Sequence, residues 1–153
     1  MFDCGRASLN LWLRRHALAN HLSGASRVNA LIAPTTQRVA AFVSLSAGRI
    51  AREFLPKAEP RNRPDPIPVA LLGQLAVDLE WQGQGYATSL LQFALKTSLA
   101  ASRHVGSLGV LTHPLGDPLR AFSARRGFVD LPFDPRRAMF VRMVDLAKSF
   151  GEA

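Results

Sequence analysis

The chain carries one cysteine in 153 residues, so Cys4 has no partner for an intrachain disulfide, and a cross-linked secreted scaffold is excluded. Cys4 and the four histidines, His16, His21, His104 and His113, share no metal-ligand spacing, which argues against a metal site. No apolar run approaches the roughly 18 residues of a membrane span. The opening Met1-Phe2-Asp3-Cys4-Gly5-Arg6 also lacks the basic region and apolar core of a signal peptide. These absences point to a cytoplasmic protein with no membrane role. Lysine is scarce too: three Lys stand beside sixteen Arg and eleven acidic residues, for a net charge of +8. The planar fork of arginine suits phosphate oxygens, so a polyanionic partner fits this balance; on charge alone, a solvated basic surface fits it equally.

What is present is enough for one core. At 48% apolar, residues 1–153 make a single domain by length and composition. The spacing of Leu9, Leu11, Trp12, Leu13, Ala17, Leu18 and Leu22 predicts a helix over 8–21, with Ser8 as N-cap and Gly24 as stop. Residues 27–33 and 38–50 have strand composition. The segment 52–68 holds five of the ten prolines and reads as a long loop. A nearly continuous apolar run over 69–77 suits a buried central strand, with Gly73 marking a bulge or a close backbone approach. A helix follows over 85–102, with Leu90, Ala94 and Thr97 on one stripe and Leu91, Leu95 and Leu99 beside it. Residues 107–112 form a short strand. Asp117-Pro118 opens a helix running through Leu119, Phe122 and Arg126 to Gly127, and strands at 128–131 and 138–144 flank the turn Pro132-Phe133-Asp134-Pro135. The class is α/β with a mixed sheet.

The most informative stretch is Leu75-Ala76-Val77-Asp78 leading into Gln82-Gly83-Gln84-Gly85-Tyr86-Ala87, an apolar strand that meets a glycine loop opening a helix. A helix N-terminus presents unpaired N–H groups and a partial positive charge, and glycine lets phosphate oxygens approach the backbone. A Walker A loop is excluded because no Gly-Lys pair is present. A dinucleotide fingerprint starting at Gly83 needs glycine where Thr88 stands, and an acidic residue where the chain reads Ser107-Leu108-Gly109. The third pattern, Q-x-x-G-x-A, is met by Gln82, Gly85 and Ala87.

That loop resembles the coenzyme A pyrophosphate loop of the GNAT N-acetyltransferases. The likeness extends along the chain: Phe2-Asp3-Cys4-Gly5, Ser8-Leu9-Asn10, Trp12-Leu13, Ala17, Asn20, Ser26-Arg27, Ser44-Leu45-Ser46-Ala47-Gly48, Trp81-Gln82-Gly83, Arg120-Ala121-Phe122 and Gly127-Phe128 are similar to the toxin-like GNAT subgroup of type II toxin-antitoxin pairs. The resemblance implies a GNAT fold, a mixed, mostly antiparallel sheet flanked by helices whose splayed strands form an acetyl-CoA cleft. It implies acetylation of the α-amino group of aminoacyl-tRNA, inhibition of translation, a small ribbon-helix-helix antitoxin and a homodimer. An acceptor that is a small-molecule amine or a protein N-terminus is the alternative within the same enzyme class.

By the same resemblance, the backbone of Leu75, Ala76 and Val77 binds the pantetheine arm, the Val77 N–H polarises the thioester carbonyl, and Gln82, Gly83, Gln84, Gly85, Tyr86, Ala87 and Thr88 hold the pyrophosphate. The chain departs from the subgroup at Ser123, where a tyrosine supplies the leaving thiolate with its proton. A serine hydroxyl is shorter and a poorer acid, which implies weakened catalysis or a CoA-binding module. Arg126 and Val28 also depart from the pattern. Arg14, Arg15 and Arg49 are candidates for the acceptor; Arg52, Arg125 and Arg126 are candidates for RNA or the CoA 3′-phosphate. Asp78 and Glu80 are candidate bases, Asp78 equally a turn cap, and His113 is a strand-end residue with a structural or catalytic role.

Overall fold

The computed structural model describes residues 1–55 and 65–151. The first helical segment is Ala7–Trp12 (α1) and Leu18–Ser23 (α2), joined by a π-helical turn over Leu13–Ala17. It starts one residue earlier than the spacing predicts, with Arg6 rather than Ser8 as N-cap and no side-chain cap. Asn10 does the anchoring instead, its Oδ1 accepting from the Cys4 N–H at 2.9 Å. Gly24 does end the segment, left-handed at φ 81.

The strands are Arg27–Ile32 (β1), Val39–Ile50 (β2), Ile67–Val77 (β3), Gly109–Thr112 (β4), Val129–Asp130 (β5) and Met139–Arg142 (β6), in the sheet order β1-β2-β3-β4-β6-β5. β1 and β2 are antiparallel with Arg27 opposite Leu45, and β6 is antiparallel to both β4 and β5. The helix Tyr86–Ala101 (α3) connects the neighbours β3 and β4, a crossover of the length that parallel strands need. Two more helices follow, Asp117–Ala124 (α4) and Met143–Ser149 (α5). The result is the mixed α/β sheet flanked by helices expected from the sequence.

Several boundaries differ from those predicted. β3 begins at Ile67, two residues before the apolar run, and the Pro68 carbonyl within it accepts from Leu108 N–H. Of the predicted loop 52–68, Arg52–Phe54 is a 3-10 turn and 56–64 lie outside the described residues. α4 stops at Ala124, two residues short of Arg126. The strand predicted over 138–144 ends at Arg142, because Met143 and Leu146 turn inward as one buried helical stripe and Asp145 pairs with Arg142 at 3.0 Å. Gly73 marks a close approach, where a Cβ would fall 3.0 Å from Ser44 Oγ.

Residue contacts divide the chain into two compact units, Met1–Ser46 with Leu72–Ala94 and Ala47–Leu71 with Leu95–Ala153. The first packs around Phe42, which is fully buried with Phe2, Leu9 and Ala76. Trp12 stacks on the Phe42 ring at 5.9 Å and Phe2 meets it edge-on at 5.4 Å. The second packs Ile50, Leu55, Ile67, Val69, Leu111, Leu131, Ala138 and Phe140 into one cluster.

Within this second unit Gly109 has a role hydropathy does not reveal. A Cβ there would press into the Val141 carbonyl oxygen and lie 2.7 Å from Phe140 Cε1, so β4 and β6 pair only because this residue has no side chain. Gly109→Ala is expected to cost about 1–3 kcal/mol through overpacking. Urea unfolding checks it, and an unchanged midpoint would refute this reading of the strand pair.

Candidate active site

The glycine loop is built from the end of β3. β3 ends at Val77, and the next residue, Asp78, takes up backbone N–H groups of the N-terminal segment and of the turn that follows. Its buried carboxylate accepts from Asp3 N–H at 3.0 Å and Glu80 N–H at 2.9 Å, capping the 3-10 turn Leu79–Trp81, and Arg38 lies 3.7 Å away. Leu79 N–H donates to the Asp3 carbonyl at 2.8 Å, so the N-terminal segment is bound to the strand end in both directions. With both oxygens engaged, Asp78 is a turn clamp and not a base. Glu80 lies at the surface with Arg38, 3.4 Å away. Asp3 in turn accepts from Gly5 N–H and Asn10 Nδ2, both at 2.9 Å. Those bonds, the Gly5 one foremost, hold its carboxyl below the usual range.

Gln82 extends the clamp. Its side-chain Nε2 donates to the Val77 carbonyl at 2.9 Å and the Cys4 carbonyl at 3.1 Å, which ties the amide nitrogen to the strand end and the N-terminal segment. Gly83 and Gly85 follow at φ 79 and φ 87, and a Cβ on either would meet no protein atom within 4 Å. Their necessity is therefore conformational, and the space beside them is open to a bound group. The Gly85 carbonyl accepts from Ser89 N–H, which opens the 16-residue α3, and its first turn carries no acidic side chain to offset the positive end. Loop and helix thus fit a group carrying phosphates. Leu75, Ala76, Val77, Gln82, Gly83, Gln84, Gly85, Tyr86, Ala87 and Thr88 all fall in this unit, with Gln82 to Gly85 exposed.

The second unit holds a cavity of about 220 Å³ lined by Gly48, Arg49, Ile50, Ala51, Phe54, Leu71, Leu111, His113, Asp134 and Arg136. Asp134 is buried and spent on its own turn, accepting from Arg136 N–H at 3.1 Å and Ala138 N–H at 2.9 Å. Burial pushes the His113 imidazole below its ordinary value and the charge of Arg136 pushes the same way, against a smaller opposing pull from Asp134. Ser123 is also in this unit, buried in the last turn of α4, where its carbonyl accepts from Arg126 and Phe128 N–H groups. Arg120 is committed to Asp130 and the Arg137 carbonyl, and Arg126 lies over the Phe122 ring at 4.5 Å.

The predicted acceptor residues are thus divided: Arg14 and Arg15 are exposed on the π-helical turn of the first unit, and Arg49 borders the cavity of the second. Among the described residues no group of three or more His, Cys, Asp or Glu is placed to hold a metal, and no helix is long and apolar enough to cross a membrane.

The model of the acetyltransferase (GNAT) family matches residues 9–128. The chain belongs to that family. A curated relative is 39% identical over 151 residues, 99% of this chain and 89% of its own length; it is the tRNA-acetylating toxin of Mycobacterium tuberculosis. Two solved structures are similar over nearly all of the chain. AtaT complexed with acetyl-methionyl-tRNAfMet aligns at a TM-score of 0.87 and 30% identity, covering 97% of this chain and 89% of that one. An AtaT mutant toxin bound to the C-terminus of the antitoxin AtaR and acetyl-CoA aligns at 0.83 and 29%, covering 99% and 89%.

For this GNAT chain, the sequence offered Asp78 as a turn cap, which its bond from Glu80 N–H bears out, but it missed the partners Asp3 and Arg38, the inward bonds of Gln82, and the cavity's Phe54, Asp134 and Arg136. The turn Pro132-Phe133-Asp134-Pro135 was the one local sign of the latter. His113 yields a direct test. Its neutral form is favoured in the folded state, so the stability it contributes is present above about pH 6.5 and is lost as pH falls through that value toward its lower folded pKa. An NMR titration of its Cε1 proton is expected to give a midpoint below 6.5, and the fall in Tm from pH 7 to 5 should be shallower in His113→Asn. A midpoint at or above 6.5 would show that the imidazole is not held neutral.

Proposed function

We propose that this chain transfers the acetyl group of acetyl-CoA to the α-amino group of aminoacyl-tRNA and so inhibits translation. The observation that carries the reading is the clamped strand end leading into two left-handed glycines at the head of α3, in a chain 39% identical to a tRNA-acetylating toxin. Acetyl-CoA supplies the activated acetyl thioester. The backbone of Leu75, Ala76 and Val77 aligns the pantetheine arm as an added strand, and the Val77 N–H polarises the carbonyl under attack. Gln82 holds the loop in shape, while the N–H groups from Gly83 to Thr88 face the pyrophosphate. The net charge of +8 favours a nucleic-acid acceptor, with Arg14, Arg15 and Arg49 on its phosphates. The protein works in the cytoplasm as a homodimer and is restrained by a small ribbon-helix-helix antitoxin.

Ser123 supports a second statement, that turnover is slow. A serine hydroxyl is a far weaker acid than a phenol, and general acid catalysis contributes about 10²–10⁴-fold in rate. Positioning of amine and thioester retains the rest.

Two measurements test these roles. Gly85→Val forces a branched side chain into φ 87 and fills the open space beside the loop, so its Kd for acetyl-CoA by calorimetry should rise about tenfold or more. Acetyl-CoA turnover with a panel of aminoacyl-tRNAs should yield acetylated product, with Ser123→Tyr faster by about tenfold or more. Binding of acetyl-CoA without transfer to any tRNA, in both native chain and variant, would overturn the enzyme reading.

A further inference from the structure

The loop joining β5 to β6, residues 131–138, holds an aromatic ring out to solvent on a fixed backbone. Phe133 is 72% exposed, although a phenyl ring gains by burial wherever the chain lets it turn inward. Leu131 and Ala138, both buried, close the loop through a bond from Leu131 N–H to the Ala138 carbonyl at 3.0 Å. Between them the buried Asp134 carboxylate accepts from Arg136 and Ala138 N–H groups, while its backbone bonds Leu131 on one side and Arg137 on the other. Arg137 stands at φ 51, a left-handed conformation that a long side chain takes only where its surroundings enforce it. The Arg120 guanidinium, donating to the Arg137 carbonyl at 2.9 Å, is one such restraint. Pro132 and Pro135 fix two further φ angles. The ring is therefore exposed by construction and not by fraying.

The charge that the loop offers has one sign. Arg136 and Arg137 are exposed, and among the described residues neither guanidinium has a carboxylate partner. The loop's own acid, Asp134, is spent on backbone N–H groups, and Asp130 just before it is paired with Arg120. A solvent-held ring with two available guanidinium groups in the same loop is complementary to an unpaired nucleotide, whose base has a free π-face and whose phosphate suits arginine. A base inside a duplex has both faces covered by its neighbours and gives the ring nothing to stack on. We infer that Phe133 stacks on an unpaired base of the tRNA acceptor, with Arg136 and Arg137 on the phosphates beside it. The inference rests on tRNA being the acceptor and uses residues of the second unit alone. Its two kinds of contact carry different signatures: stacking is uncharged, whereas each arginine contact displaces a counterion and steepens the fall of binding with salt.

The test measures binding of the full chain, by fluorescence anisotropy across a salt series, to tRNA, to a single-stranded RNA and to a blunt RNA duplex with the same number of phosphates as the single strand. Phe133→Ala should weaken binding of the first two about fivefold or more, with the slope of log K against log salt unchanged, and leave duplex binding as it was. Phe133→Trp keeps a stacking face and should bind as the native chain does; both variants should keep the native Tm, since the ring is exposed. Arg136→Gln with Arg137→Gln should lower the salt slope for the single strand by about 1.4, the value for two contacts to single-stranded phosphates. Native RNA affinity in Phe133→Ala, equal loss on single strand and duplex, or a loss confined to binding of an acidic protein partner overturns the inference. Acetylation of aminoacyl-tRNA by the native chain is assayed separately. Its absence, beside a single-strand preference that Phe133 controls, would strike the acetyl-transfer reading and leave the RNA contact standing.

Discussion

The buried carboxylate of Asp78 is the contact on which the candidate site depends. A central strand has to stop, and its last backbone groups need partners before the chain can turn into the glycine loop. Asp78 satisfies two N–H groups at once, one from the N-terminal segment and one from the turn that follows. Arg38 offsets part of the cost of burying its charge. Gln82 closes the same construction from the loop side by donating to Val77 and Cys4. The two left-handed glycines then start from a defined point, which lets the head of α3 present its N–H groups in a set direction.

The second unit repeats the device with Asp134, another buried carboxylate consumed by backbone N–H groups of its own turn. In both places an acidic residue that looks available for proton transfer is a clamp. What these two places offer is accordingly backbone hydrogen bonding at the loop and arginine at the cavity.

The features legible in the sequence were those with local causes. Gly24, Gly83, Gly85 and Gly127 stand where φ is positive, and α3 follows from its apolar stripe. The errors have causes elsewhere. Ser8 looked like a cap, but Asn10 holds the start of α1 through Cys4 and Asp3, and Asp3 is itself tied to the end of β3. The run ending at Val144 looked like strand until Met143 and Leu146 turned to the same buried face of α5. Gly109 carried no signal, because its requirement comes from Val141 and Phe140 on the paired strand.

By itself the sequence determined the order of elements as far as β6, the glycine turn that opens α3 and the family, because glycine conformation, helical periodicity and motif spacing are properties of neighbouring residues. The tertiary structure alone decided that the Asp78 turn cap also binds the N-terminal segment, that the Gln82 amide bridges Val77 and Cys4, and that an apolar cavity bordered by two arginines exists. The physical reason is separation along the chain: the partners of Asp78 and Gln82 lie up to 75 and 78 positions away, and a hydrogen bond across that distance forms only after the fold has brought its two ends together.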